Sequence, residues 1–275
     1  MIKSVKLVAL LFFIAVKSNA AKIETIWVFS KSMNKSVPNI VITPSNYPIY
    51  KGNFPVLYLL HGATDNYKGW LIIAPELPQY ADQYHMIIVC PDGGATSWYF
   101  DSPVDNTMRY ETYITKELTA VIETKYKTIA TKQGRAIDGL SMGGHGAFYL
   151  SFRHPDFYGA AGSISGGVDI RPFKNEWDLT KRLGTYAEHP ANWEKNTVVN
   201  MLDLLNGKKL SLIFDCGTED FFHACNQKLH LELLSRKIKH SYSERPGSHT
   251  PDYWNKSIKI HVLFFHDYFS GTQKE

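Results

Sequence analysis

The stretch "GRAIDGLSMGGHGAFYL", residues 134–150, decides the fold. Ser141 stands between Gly139 and Gly143, directly after a strand-like apolar run and directly before a helical pattern. In a tight strand-to-helix turn the tip residue takes a strained backbone, and the residues two places either side must be small for strand and helix to pack closely. That requirement is what G-x-S-x-G records. The same turn aims the Met142 N–H and the start of the following helix at the serine oxygen, where negative charge develops in acyl transfer. A serine hydroxyl alone is a poor nucleophile, so the turn is catalytic only if the chain also supplies a base, a carboxylate and a second oxyanion donor.

Working outward, "FPVLYLLHGATDNYKGW" (54–70) places His61-Gly62-Ala63 immediately beyond an apolar strand. Gly62 lets the chain turn so that the Ala63 N–H can serve as the second donor, and His61 suits a structural support behind it. Eleven histidines compete for the base. His249 stands apart, because "RPGSHTPDYW" (245–254) puts it on a loop after the last strand and before the last helix, at the edge where open parallel sheets bind ligands. "LIFDCGTEDFF" (212–222) offers Asp215, Glu219 and Asp220. Asp215 lies inside the strand pattern and reads as a buried or edge acid, whereas Asp220 lies past the Gly217 turn, free to reach an imidazole. The order Ser141, Asp220, His249 is the chain order of an α/β-hydrolase triad.

The rest of the sequence suits that architecture. Strand-like runs fall at 23–30, 39–44, 54–60, 85–92, 134–140, 159–165, 209–217 and 239–247, and helical patterns at 107–126, 144–155, 226–237 and 255–269. Nearly all-apolar strands alternating with helices predict a mostly parallel central sheet covered on both faces, in one domain over 21–275. Residues 167–208 break the rhythm with Trp177, Trp193 and weak helical patterns. A long insertion of this kind reads as a cap over a substrate cleft, with an ordinary surface excursion as the rival.

The chain has 275 residues, 44% of them hydrophobic and 20% charged, which is a globular composition. "MIKSVKLVALLFFIAVKSNA" (1–20) has early lysines, a short apolar run and small residues before Ala20, the pattern of a secretory signal peptide cut after Ala20. The apolar run is too short for a membrane anchor. Removing 1–20 takes away three lysines and no acid, so the formal charge falls from +4 to +1. No basic cluster with interleaved aromatics points to nucleic acid. Cysteines at 90, 216 and 225 are too few for a disulfide scaffold. Cys216 and Cys225 could pair after export, though buried free thiols are the plainer reading. Asn34 and Asn255 head glycosylation sequons, which count only in a eukaryotic source. No ligand cluster has metal spacing, and neither a metal nor an organic cofactor is implied.

The motifs "LYLLHGATDNYKGW", "VCPDGGATSWYFDSP", "YETYITKEL", "GLSMGGHGAFYLSFRHPDFYGAAGSISGG", "FDCGTEDFF" and "RPGSHTPDYW" resemble, in order and across nearly the whole mature chain, the esterase D branch of the α/β-hydrolases. That branch holds feruloyl and acetyl xylan esterases of carbohydrate esterase family 1, tributyrin esterases, S-formylglutathione hydrolases and mycolyltransferases. The resemblance implies Ser141 as nucleophile, Asp220 as acid, His249 as base, and Ala63 and Met142 as oxyanion donors. Trp98 and Tyr99 would line an acyl or sugar pocket and Glu111 would brace the site, with core packing the alternative for each. Export favours an extracellular or periplasmic ester, such as acetyl or feruloyl groups on plant polysaccharide. The alternatives are acyl transfer from the same acyl-serine, thioester hydrolysis of the S-formylglutathione kind, and a non-catalytic binding protein. Two positions depart from the family pattern: Ser248, where glycine is frequent, and Asp138, where a small apolar residue is usual three places before the nucleophile.

Overall fold

The computed structural model describes residues 20–272. The leader read at 1–20 lies outside the described residues, Ala20 excepted. Each predicted strand forms: β1 (Lys22–Ser30), β2 (Lys35–Thr43), β3 (Val56–Leu60), β4 (Ile87–Pro91), β5 (Arg135–Gly139), β6 (Ala160–Ile164), β7 (Ser211–Gly217) and β8 (Ser241–Arg245). They make one sheet in the order β1-β2-β4-β3-β5-β6-β7-β8, with β3 to β8 mutually parallel and β1 and β2 joined antiparallel at one edge. β2 begins four residues before the predicted run. Pro38 has no N–H to give a ladder, but β4 pairs only with Asn39 to Ile42, so the proline sits where β2 has run past its neighbour.

The helices are α1 (Gly69–Ile73), α2 (Leu77–Gln83), α3 (Tyr110–Thr112), α4 (Thr119–Lys125), α5 (Met142–Arg153), α6 (Leu179–Leu183), α7 (Pro190–Lys195), α8 (His223–Ser235) and α9 (Pro251–Ser270). A π-helical segment, Tyr113–Leu118, joins α3 to α4, so the predicted helix at 107–126 is one rod with a widened middle. Alternation along the strands builds two apolar layers. Val56, Tyr58 and Leu60 of β3 face the layer of α4, α5 and α8, while Leu57 and Leu59 face that of α1, α2 and α9. The insertion at 167–208 forms α6, α7 and short 3₁₀ turns on the first of these layers, with Leu179, Leu183 and Trp193 buried in it.

The chain passes from β3 to β4 on one side and then back to β5 on the other. The loops after β3 and β5 therefore diverge, and the crevice they open at the carboxyl ends of the strands is where such sheets hold ligands.

Candidate active site

Ser141 lies at that crevice, between β5 and α5, with φ 56° and ψ −116°. A Cβ on Gly139 would stand 2.5 Å from the Gly143 backbone, and one on Gly143 2.4 Å from the Leu60 carbonyl oxygen. Both glycines are thus required by contact with backbone that cannot move aside. Strain is concentrated here: Thr64, Trp98, Tyr99, Ser165, Trp177 and Asp178, all in segments around the crevice, also have positive φ without being glycine.

Ser141 Oγ lies 2.9 Å from His249 Nε2, and His249 Nδ1 donates to Asp220 Oδ2 at 2.8 Å. The other Asp220 oxygen accepts the Phe222 N–H at 2.8 Å, so the buried carboxylate is held from both sides. The two loops that carry acid and base are zipped together, because Thr218 and Glu219 donate backbone N–H groups to the Arg245 and Gly247 carbonyls. Glu219 adds a carboxylate contact to the Gly247 N–H. Asp215, the other acid of that stretch, is buried beneath the site and pairs with Arg245 at 2.8 Å.

A Cβ on Gly62 would lie 3.5 Å from the Ser141 Cβ, which puts the β3 loop against the serine. No other described residue engages the Ala63 or Met142 N–H. His61 stands behind this loop: its Nδ1 donates to the Gly62 carbonyl and its Nε2 accepts the Gly93 N–H, both at 2.8 Å. Burial, which disfavours an imidazolium, lowers its pKa and keeps it the neutral tautomer this arrangement needs.

Trp98 and Tyr99 do not form the pocket wall expected of them. Tyr99 is fully buried, fills the space over Gly93 and Gly146, and donates its hydroxyl to the His61 carbonyl at 3.0 Å. Trp98, 1% exposed, packs on His145 and Gly167 and donates its backbone N–H to Met142 Sδ. Both act from behind, on the residues that flank Ser141. The aromatic surface next to His249 comes instead from Phe221 and Phe173, which no motif singled out, and from Trp177 of the insertion read as a cap. Phe221, half exposed, has its ring 4.4 Å from the imidazole and stacks on Trp177 of the insertion, with Phe173 beside both. The doublet Phe221-Phe222 directly after the acid was the available signal.

Glu111 is remote from Ser141. It holds the far end of α5, accepting from Tyr149, Arg153 and the His154 ring at 2.8 to 2.9 Å. Burial alone would raise its pKa, but these contacts outweigh burial and hold it at about 2. The three cysteines are free thiols, so Cys216 and Cys225 do not pair. Burial pushes the Cys90 and Cys225 thiols up to about 12. The sequon residue Asn255 is tied down, its amide donating to the Ile73 carbonyl. Among the described residues no group of three or more His, Cys, Asp or Glu side chains could hold a metal ion, and no helix is long and apolar enough to cross a membrane.

Asp138 accepts the Gly139 N–H through Oδ1 at 2.8 Å and meets His261 Nδ1 through Oδ2 at 2.9 Å, with both side chains wholly buried.

Residues 30–265 match the Esterase family model, described as "Putative esterase". An esterase of Mycobacterium tuberculosis is 28% identical over 242 residues, 76% of this chain and 51% of its own length, so the chain spans about half of that relative. An acetyl esterase of Caldicellulosiruptor saccharolyticus is 24% identical over 255 residues, covering 84% of this chain and 92% of its own. Among solved structures, a ferulic acid esterase superposes with a TM-score of 0.80 at 28% identity, over 92% of this chain and all of that one. The architecture is the α/β-hydrolase fold.

Proposed function

The chain belongs to the Esterase family, and from that premise we propose that it is an exported serine hydrolase of acetyl or feruloyl esters on plant polysaccharide. The observation that carries the reading is the unbroken hydrogen-bond chain Asp220–His249–Ser141, ending on a serine beside two unengaged backbone N–H groups. His249 takes the Ser141 proton as Oγ attacks the ester carbonyl, and Asp220 holds the imidazole in the tautomer with a bare Nε2. The Ala63 and Met142 N–H groups receive the oxyanion, each worth about 3 to 4 kcal/mol of barrier. His249 then returns the proton to the departing alcohol, and water repeats the sequence on the acyl-serine.

The leaving alcohol must lie on the imidazole side, where half-exposed Phe221, with Trp177 stacked against it, supplies an aromatic surface. Flat aromatic faces suit the C–H face of a sugar ring, which supports a saccharide on that side. The insertion that carries Trp177 then serves as a partial cap, and the leader at 1–20 supports export. Acetylated xylan, methyl ferulate and p-nitrophenyl acetate should each be turned over, with loss of all three in Ser141→Ala. A folded wild type that cleaves none of them would refute the esterase reading. Acyl transfer to an added sugar at the expense of free acid would replace hydrolysis by transfer.

A further inference from the structure

Beneath the site lies a layer of charge, buried except for a partly exposed Arg245, that the reaction does not use. Asp138 and Asp215 point from β5 and β7 toward α9, on the side of the sheet where the neighbouring strand residues Ala136 and Ile213 are apolar core. α9 answers with His261, wholly buried, on Asp138. β8 contributes Arg245, whose guanidinium donates to Asp215 at 2.8 Å and to Ser257 of α9 at 2.5 Å, and lies over the Tyr253 ring. Gly162 of β6 leaves the room, since a Cβ there would be 2.5 Å from Asp138 and 3.0 Å from His261.

Two features separate this layer from an ordinary buried ion pair. First, each of its sheet members lies shortly before one member of the site on the same chain segment: Asp138 before Ser141, Asp215 before Asp220, and Arg245 before His249. Second, it balances when the Asp138–His261 pair holds one proton between them, so that Asp215 and Arg245 face a neutral pair; burial raises the Asp138 pKa and Asp138 raises that of His261, and both shifts favour keeping that proton. A buried net charge is costly, so the balance has a physical reason. His261 Nε2, Asp215 Oδ1 and the Tyr253 hydroxyl have no hydrogen-bond partner among the described residues, which leaves Coulomb attraction to tie the two pairs together.

We propose that Asp138, His261, Asp215 and Arg245 form a positioning layer that fixes, from below, the separations of the three strand ends carrying Ser141, Asp220 and His249. None of the four touches substrate. They act through the backbone, most directly where Asp138 grips the Gly139 N–H two residues before the nucleophile. Burial by itself lowers the His261 pKa, but Asp138 and, farther off, Asp215 outweigh both burial and the opposing Arg245, so it is raised. A raised imidazole contributes fully below its unfolded pKa and is lost as pH rises through the folded one, so the layer loosens on the alkaline side.

The proposal rests on the esterase reading, so wild-type turnover of p-nitrophenyl acetate is measured first, and its absence from a folded protein sinks that reading. With turnover established, His261→Gln leaves one uncompensated carboxylate. It should lower kcat at least about tenfold with KM unchanged, since small misplacements of reacting groups cost up to about a hundredfold. Asp138→Asn/His261→Gln restores neutrality, should fold even if the single variant does not, and should recover most of kcat. The wild type should show an alkaline fall in kcat that the double variant lacks. Nitrogen-15 NMR titration of the wild type should find His261 losing its proton above the ordinary imidazole range. Wild-type kcat in a folded His261→Gln, an alkaline limb unchanged in the double variant, or a His261 that loses its proton at or below that range would each overturn the proposal while leaving the esterase reading intact.

Discussion

Asp220→Asn keeps the volume of the side chain and changes one hydrogen-bond role. Asp220 Oδ1 accepts the Phe222 N–H and Oδ2 accepts His249 Nδ1–H, each at 2.8 Å. Asparagine has one acceptor oxygen and one donor NH₂. The Phe222 N–H claims the oxygen, because turning the amide round would set two donors against each other in a buried place. The NH₂ then faces His249 Nδ1, which must become the bare nitrogen, and the ring proton moves to Nε2. That proton points at Ser141 Oγ, 2.9 Å away, so the imidazole can no longer take the serine proton. A wrong tautomer in a serine triad costs about 10⁴-fold in kcat. At about 1.4 kcal/mol per decade that is about 5.5 kcal/mol of barrier. Pre-steady-state acylation by p-nitrophenyl acetate measures it directly, with Asp220→Ala alongside to leave the imidazole free to adopt either tautomer. Asn should be no faster than Ala. An Asn variant within tenfold of wild type, or faster than Ala, would refute the reasoning that Asp220 sets the tautomer.

Gly143→Ala drives a Cβ to 2.4 Å from the Leu60 carbonyl oxygen and 2.7 Å from that of His61, both fixed backbone. It should cost about 1 to 3 kcal/mol in thermal unfolding and a larger fraction of kcat, because the clash displaces the oxyanion loop itself. Glu111, held at about 2 against an ordinary 4.5, contributes stability present above about 4.5 and lost as pH falls toward 2. The shift corresponds to about 3 kcal/mol, and Glu111→Gln should remove that acid limb from urea unfolding midpoints. Trp177→Ala and Phe221→Ala take away the stacked faces beside His249. Each should raise KM about three- to tenfold for acetylated xylan, and less for p-nitrophenyl acetate.

Local sequence determined much of this protein. The G-x-S-x-G spacing marked the turn, since Gly139 must clear the Gly143 backbone four residues on, although the Leu60 carbonyl that Gly143 must clear belongs to a distant strand. Near-continuous apolar runs marked the central strands, because a sheet covered on both faces buries both sides of each. Short polar loops after strands then left few candidates for acid and base, so Asp220 and His249 could be chosen by place. The tertiary structure decided what depends on neighbours distant in the chain. Trp98 and Tyr99 read as pocket aromatics, yet packing against Met142, His61 and Gly146 puts them behind the site, while Phe221 and Trp177, 44 residues apart, meet at its mouth. Asp138 looked like an anomaly because its partner, His261, lies 123 residues away on a helix whose pattern shows only a face and not which strand it covers. A carboxylate buried in a strand needs a partner that satisfies it or a proton that neutralises it, and which partner reaches it is set by how the layers close.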